Sequence, residues 1–238
     1  MSSVDKYFQR FPITTPTYNV TRIAGKQIRD RASRYFSGRM IEIGCGTKAK
    51  GLLVGEFVTE HIGLDHEDCP HDQSNIDLFG TAYDIPVDDD SFDCVLSTAV
   101  MEHLEEPLLA LIEAHRVLRP GGYALYTMPL FWHLHEEPRD FFRYTRYGLH
   151  YMFEKAGFSV LEITPLSGFW ITFGTEFNYY LRRFAKGPLR PLVNSFTALT
   201  NLIYPFLDQG KLRDERFTWM YIVVAQKPKH FYGNSPSS

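Results

Sequence analysis

One stretch of the chain concentrates side chains that could do chemistry: Trp132-His133-Leu134-His135-Glu136-Glu137-Pro138-Arg139-Asp140-Phe141-Phe142-Arg143-Tyr144. Imidazole changes charge near neutral pH, so His133 and His135 can take a proton from a hydroxyl. His103, upstream, is a third candidate base, or else a structural residue at a helix edge. Asp140 and Arg143 suit an ion pair that fixes the loop. Together with Trp132 and Tyr144 they also offer a surface to a polar acceptor, because an aromatic face stacks on a sugar or a planar ring. His133, His135 and Glu136 could hold a metal, but three ligands crowd so short a loop, and the reading assigns no metal.

A second constellation is Ile41-Glu42-Ile43-Gly44-Cys45-Gly46-Thr47, in which an apolar run enters two close glycines. Glycine lets the backbone turn sharply and leaves room for a ligand against the main chain. The helix that follows offers free N–H groups. Glycine spacing alone leaves a dinucleotide open, since Ala49 is tolerable where the G-x-G-x-x-G fingerprint has its third glycine. Downstream, Gly63-Leu64-Asp65 ends the next apolar run in an acid. A carboxylate there can accept hydrogen bonds from both hydroxyls of a ribose.

Glu42 ahead of the glycines resembles the E/D-x-G-x-G motif of class I S-adenosylmethionine-dependent methyltransferases, where the acid sits near the methionine end of the cofactor. A carboxylate is sensible beside an ammonium and a sulfonium, and much less so beside pyrophosphate. The resemblance extends to the type 11 methyltransferase family. Asp84-Ile85-Pro86-Val87 followed by Asp90-Ser91-Phe92-Asp93-Cys94-Val95 is similar to its D-L-P-F…S-F-D-x-V stretch. Val100-Met101-Glu102-His103-Leu104 is similar to its V-L-E-H-L, and Arg116 to Gly122 to its R-V-L-K-P-G-G. The match covers about residues 38 to 163 and the final strand. It implies S-adenosylmethionine held by Glu42, Gly44, Cys45, Gly46 and Asp65, with Thr81 and Ala82 at the adenine. Two positions depart from the family: Lys48 stands where a third glycine is common, and Thr81 where an acid precedes the alanine. The loop from His133 to Tyr144 resembles an H-E-x-P-x-D-x-x-R-Y-T segment of a subset associated with glycan or natural-product modification.

These residues need a frame. Apolar runs at 39–43, 61–65, 75–79, 92–98, 123–128, 159–163 and 217–226 predict strands, and helical spacing falls between them. Helices are expected at 21–36, 50–58, from Pro107 with Leu108, Leu111, Ile112, His115 and Leu118 inward, and from a Thr145 cap to Ala156. Such alternation predicts an α/β fold: a Rossmann-like, doubly wound, mostly parallel sheet with an antiparallel last strand and a C-terminal helical insertion. Ligands in such sheets bind beyond the carboxyl ends of the strands, which is where both constellations fall. The domain reading is an N-terminal arm and helix at 1–37, irregular to about residue 20; a cofactor-binding core at 38–173; a helical insertion at 174–208, acting as lid or interface; and a final strand with a tail at 209–238.

Composition sets outer bounds. The chain has 238 residues, net charge -3 and 44% hydrophobic residues. That is an ordinary globular balance without a basic field for nucleic acid. Cys45, Cys69 and Cys94 are too few and odd for a disulfide framework, and no secretion signal or membrane-length apolar run is read. The expected setting is the cytoplasm. Arg182, Arg183, Lys186 and Arg190, beside apolar stripes in the insertion, leave room for peripheral membrane contact. The expected activity is methyl transfer from S-adenosylmethionine to a small-molecule or glycan- or lipid-linked acceptor, at oxygen. The alternatives are a non-catalytic cofactor-binding protein of the same fold and an NAD-dependent oxidoreductase.

Overall fold

Short runs rich in Ile, Val and Leu become strands because both faces can be buried. Along β1 (Arg39–Ile43), Ile41 and Ile43 enter one apolar cluster and Met40 the other. In β4 (Phe92–Thr98), Val95 faces the first cluster and Cys94 and Leu96 the second. This two-residue period with no wet face is the mark of a sheet covered by helices on both sides. The computed structural model describes residues 2–69 and 72–229, so the Ser235 to Ser238 tail lies outside the described residues.

Seven strands form one sheet in the order β3-β2-β1-β4-β5-β7-β6. The others are β2 (Glu60–Asp65), β3 (Leu78–Phe79), β5 (Leu118–Pro129), β6 (Ser159–Pro165) and β7 (Met220–Gln226). The pairings among β1 to β5 are parallel, and β7 runs antiparallel between β5 and β6. One face carries α4 (Pro107–Val117) and α5 (Arg146–Lys155). The other carries α1 (Ser3–Gln9), α2 (Tyr18–Tyr35), α3 (Gly51–Val54) and the start of α6 (Phe169–Arg182). Strand order reverses between β1 and β4, and the crevice beyond their carboxyl ends is the natural ligand position.

Several local expectations are corrected. The N-terminal arm is not irregular throughout: Ser2 and Asp5 form a reciprocal capping box that starts α1, and Tyr7 is buried in the second cluster. The third strand shrinks to two residues. Ile112 faces solvent, while Ala110 and Ala114 share the inner stripe of α4, because the contact turns further round the helix than the large side chains suggest. Pro120-Gly121-Gly122 does not separate helix from strand. It lies within β5 as a bulge, where the pairing jumps from Phe92–Leu118 to Cys94–Tyr123. A Cβ on Gly122 would stand 2.8 Å from the Asp93 carbonyl oxygen, which is why a glycine is needed there. Residues 215–217 form a 3₁₀ turn, and the last strand starts only at Met220.

The helical insertion is a hairpin of α6 and α7 (Arg190–Leu207), with α6 already begun at Phe169. A buried polar joint ties it to the N-terminal region. Asn19 Nδ2 donates to Asn201 O at 3.0 Å, Asn201 Nδ2 donates to Ile13 O and Thr15 O at 2.8 and 2.9 Å, and Thr200 Oγ1 donates to Asn178 Oδ1 at 3.1 Å.

Candidate functional site

The candidate cofactor side is built where β1 ends. Gly44 and Gly46 have φ of +70° and +51°, in the left-handed region that favours glycine. At Gly44 a Cβ would also meet Val100 Cγ2 at 2.4 Å. The N–H groups of Gly44 and Cys45 both donate to Leu64 O, at 2.9 and 3.1 Å. Gly46 N then donates to Asp65 Oδ2 at 2.8 Å, and His66 N donates to Oδ1 at 2.9 Å. Each oxygen of this buried carboxylate therefore has one backbone donor and keeps acceptor capacity for a ligand. Glu42 is buried too, its Oε2 2.8 Å from His61 Nε2. Cys45 between the glycines is inert: burial, then Glu42 and Asp65, push its thiol up to about 12.

The two departures from the family pattern have local solutions. Lys48 adopts φ +56°, the conformation a glycine would take at less cost, and its ammonium pairs with Asp77. Asp77 Oδ2 also accepts from Gly63 N at 2.6 Å, so the lysine side chain is anchored to β2. Thr81 Oγ1 accepts from the N–H groups of Tyr83 and Asp84 at 3.3 and 3.1 Å, which leaves its proton to donate. Ala82 lies partly buried beside the first cluster.

The loop after β5 divides the remaining candidates into two groups. His133 Nδ1 lies 2.9 Å from Glu176 Oε2 on α6. A carboxylate only accepts, so Nδ1 carries the proton and Nε2 keeps its lone pair. Trp132 stacks on this imidazole with ring centroids 5.0 Å apart, and the Tyr179 ring lies 4.6 Å away. His135 goes elsewhere: its ring meets that of His103 edge-on at 4.7 Å. Burial, and then His103, push His135 below the ordinary histidine range. The three candidate metal ligands named from the sequence do not converge as a set: His133 gives its Nδ1 to Glu176, although its ring stays 6.4 Å from that of His135, and His135 groups instead with His103 and Glu102.

Asp140 and Arg143 are bound to each other, with Nη1–Oδ1 and Nη2–Oδ2 distances of 2.6 and 2.8 Å. Arg143 also donates to Trp132 O and His133 O at 3.1 and 3.0 Å, and Asp140 accepts from His135 N at 3.0 Å. The pair holds the loop's backbone. The Arg143 guanidinium keeps the Asp140 carboxyl well below the usual carboxylate range. Tyr144 points inward, 5% exposed, and donates to Met101 O at 2.7 Å. It anchors the loop to the segment that carries His103, and does not line the surface expected of it.

Sequence reading missed Glu102, Glu176 and Tyr179. Glu102 is 1% exposed, and burial pushes its carboxyl up to about 8. Its carbonyl oxygen accepts from Phe141 N and Phe142 N at 2.8 and 3.3 Å, which locks the post-β5 loop over it. Glu176 had a signal: it is the sole acid between Glu162 and Asp208, in an aromatic helix.

A methyltransferase-domain family profile matches residues 41–126, the stretch from Glu42's strand to the middle of β5. A protein of Mycolicibacterium smegmatis named as an S-adenosylmethionine-dependent methyltransferase is 31% identical over 109 residues, 43% of this chain and 42% of the relative. A ubiquinone biosynthesis O-methyltransferase of Roseobacter denitrificans is 31% identical over 117 residues, 44% of this chain and 47% of the relative. The chain therefore spans less than half the length of these two relatives. Among solved structures, a [4+2]-cyclase, SpnF, superposes with a TM-score of 0.58 at 18% identity, covering 86% of this chain and 81% of the other.

Proposed function

We propose that the chain is a class I S-adenosylmethionine-dependent methyltransferase that methylates a hydroxyl group of a small-molecule or glycan- or lipid-linked acceptor, with His133 as general base. The observation that carries the reading is the His133–Glu176 dyad on the loop that follows the carboxyl end of β5. A fold alone does not decide, since a solved neighbour of this fold is named for a cyclisation.

The donor residues fit S-adenosylmethionine: the positive-φ glycine turn makes room against the backbone, Asp65 has free acceptor capacity for the ribose, and buried Glu42 suits a cationic group. Bound there, the cofactor supplies an electrophilic methyl group on a positively charged sulfur. The protein's part is to orient the acceptor, keep water out and remove one proton. Glu176 holds Nδ1–H, so His133 presents Nε2 to the acceptor hydroxyl. Trp132 and Tyr179 flank that imidazole and give an aromatic acceptor something to stack on. The Roseobacter relative, whose name places it in ubiquinone biosynthesis as an O-methyltransferase, supports oxygen as the methylated atom.

The hairpin supports a setting at a membrane surface. Phe184, Leu192, Leu199 and Phe206 are 46, 67, 54 and 75% exposed, and Arg182, Arg183, Lys186 and Arg190 cluster around the turn of the hairpin. Apolar side chains with cationic neighbours fit an anionic bilayer, from which an acceptor with an apolar tail would be drawn. No helix among the described residues is long and apolar enough to cross a membrane. A cytoplasmic protein that touches the inner leaflet is the corresponding proposal.

The test is release of S-adenosylhomocysteine with a panel of hydroxyaromatic and lipid-linked sugar acceptors. His133→Ala is expected to lower kcat by about 10²–10⁴-fold with cofactor affinity kept. Glu176→Gln should lower kcat less, and Asp65→Ala should weaken cofactor binding through lost hydrogen bonds to a charged group, about 1.5–3 kcal/mol each. Cofactor binding without turnover of any acceptor would favour the binding-protein alternative. Normal turnover in His133→Ala would remove the assigned base.

A further inference from the structure

We propose that Glu102, His103 and His135 form a binding site for one divalent transition-metal ion on the acceptor side of the cleft. One ligand atom from each lies within 4.8 Å of the others. Ligands of such ions stand about 2.0–2.2 Å from the metal, so their atoms end up roughly 3–3.5 Å apart. Closing the three onto an ion takes about 1 Å of side-chain movement.

Each ligand is prepared in a way that a structural role leaves unexplained. His103 Nδ1 is 2.5 Å from Arg139 O, an atom that only accepts. The proton therefore sits on Nδ1 and the Nε2 lone pair is presented outward, which is how a backbone carbonyl orients a metal-binding imidazole. Glu136 Oε2 stands 3.8 Å from that Nε2, as an additional ligand within reach. His135 Nδ1 is buried without a hydrogen bond among the described residues, 3.4 Å from Asp140 Oδ2. Glu102 supplies the independent observation. Its side chain is almost wholly buried, and Oε2 has no hydrogen-bond partner among the described residues. A buried carboxyl oxygen left without a partner is costly, and a cation that displaces its proton would supply one. Arg143, the nearby cation, is committed to both oxygens of Asp140.

Two imidazoles and one carboxylate suit Zn²⁺, Co²⁺, Mn²⁺ or Fe²⁺, whereas Mg²⁺ and Ca²⁺ prefer oxygen cages. Three protein ligands leave coordination positions open for an oxygen of the acceptor. The part played in catalysis rests on the methyl-transfer reading; ion binding itself does not. In that reading the acceptor hydroxyl binds the ion and loses its proton to His133 Nε2. An oxygen lone pair forms the new C–O bond, the C–S bond breaks, and its electron pair stays on sulfur as the sulfonium becomes a neutral thioether. His103 and His135 are then ligands, which explains why three histidines gather here for one base.

The experiment titrates the chelator-stripped full chain with Co²⁺, followed by visible absorption, and with Zn²⁺, followed by calorimetry. One ion per chain is expected. Glu102→Gln, His103→Ala and His135→Ala should each weaken binding by about tenfold or more, while His133→Ala and His150→Ala bind normally. His150 pairs with Glu154 on the surface of α5 and controls for adventitious binding. Thermal melts check that each variant is folded, and if Glu102→Gln fails to fold, the two histidine variants decide. No ion held against dialysis overturns the proposal, as does binding that survives His103→Ala or disappears in His150→Ala. An ion that binds as expected in a chain without methyl transfer leaves this site standing and removes the function proposed above.

Discussion

Asp140 and Arg143 illustrate how a residue pair can matter to a site without touching substrate. Two parallel hydrogen bonds join them, and Arg143 also grips the successive carbonyls of Trp132 and His133. Because Arg143 depresses the Asp140 carboxyl in the folded state, the pair's stabilisation is whole above the unfolded carboxylate's value of about 3.9. It is lost as pH falls through that value toward the lower folded one. The difference in Tm between the wild type and Asp140→Asn is therefore expected to be constant from neutral pH to about 5 and to shrink toward pH 3. A difference near zero at every pH would show that the aspartate acts by shape alone. At this scale the arrangement of the candidate cofactor residues was legible, since Glu42 and Asp65 lie on two successive strands, Gly44 and Gly46 in the turn that leaves the first, and their placement follows from local backbone. Glu176 was not, because its partner His133 is 43 positions away and only the hairpin's return brings them together. Glu102 was hidden for another reason. A buried acid inside an apolar motif looks like any surface acid until the loop that covers it is placed.

Elements explain what apolar stripes leave out. The stripes of α6 and α7 indicate two helices, yet the hairpin is tied to the N-terminal segment through Asn19, Asn178, Thr200 and Asn201, all buried. Asn201→Leu would strand the Ile13 and Thr15 carbonyls and leave Asn19 without its side-chain acceptor. Each unsatisfied group costs about 1–3 kcal/mol. With about 2–4 °C of Tm per kcal/mol for a chain of this size, a drop of several degrees by calorimetry is expected; a Tm within a degree of wild type would mean that the joint contributes no net stability. Polar joints escape sequence reading because asparagine in a helix carries no periodic signal. The capping box of α1 was missed for a different reason: Pro12 and Pro16, a few residues on, drew the segment as irregular.

The whole molecule joins a sheet that the strand alternation made legible to a hairpin whose outer face did not need to be apolar for folding. Contact with anionic vesicles follows from that face and its cations. The chain is expected to sediment with vesicles rich in anionic lipid and much less with zwitterionic ones, with high salt or Arg182→Glu/Arg183→Glu reducing the bound fraction. If the bound fraction ignores both lipid charge and the two substitutions, the face serves another partner, and concentration-dependent association of the chain would point to a second copy. The buried thiols allow this molecule to be timed. Cys45 lies in the glycine loop and Cys94 inside the sheet, both with thiols that burial pushes up to about 12. An alkylating reagent at neutral pH must wait for either to open. Cys45 should be modified at the rate at which the cofactor loop breathes, and Cys94 only as fast as the strand itself comes apart. Saturating S-adenosylmethionine should slow the first clock far more than the second, so one tube followed by mass spectrometry separates loop closure from global stability.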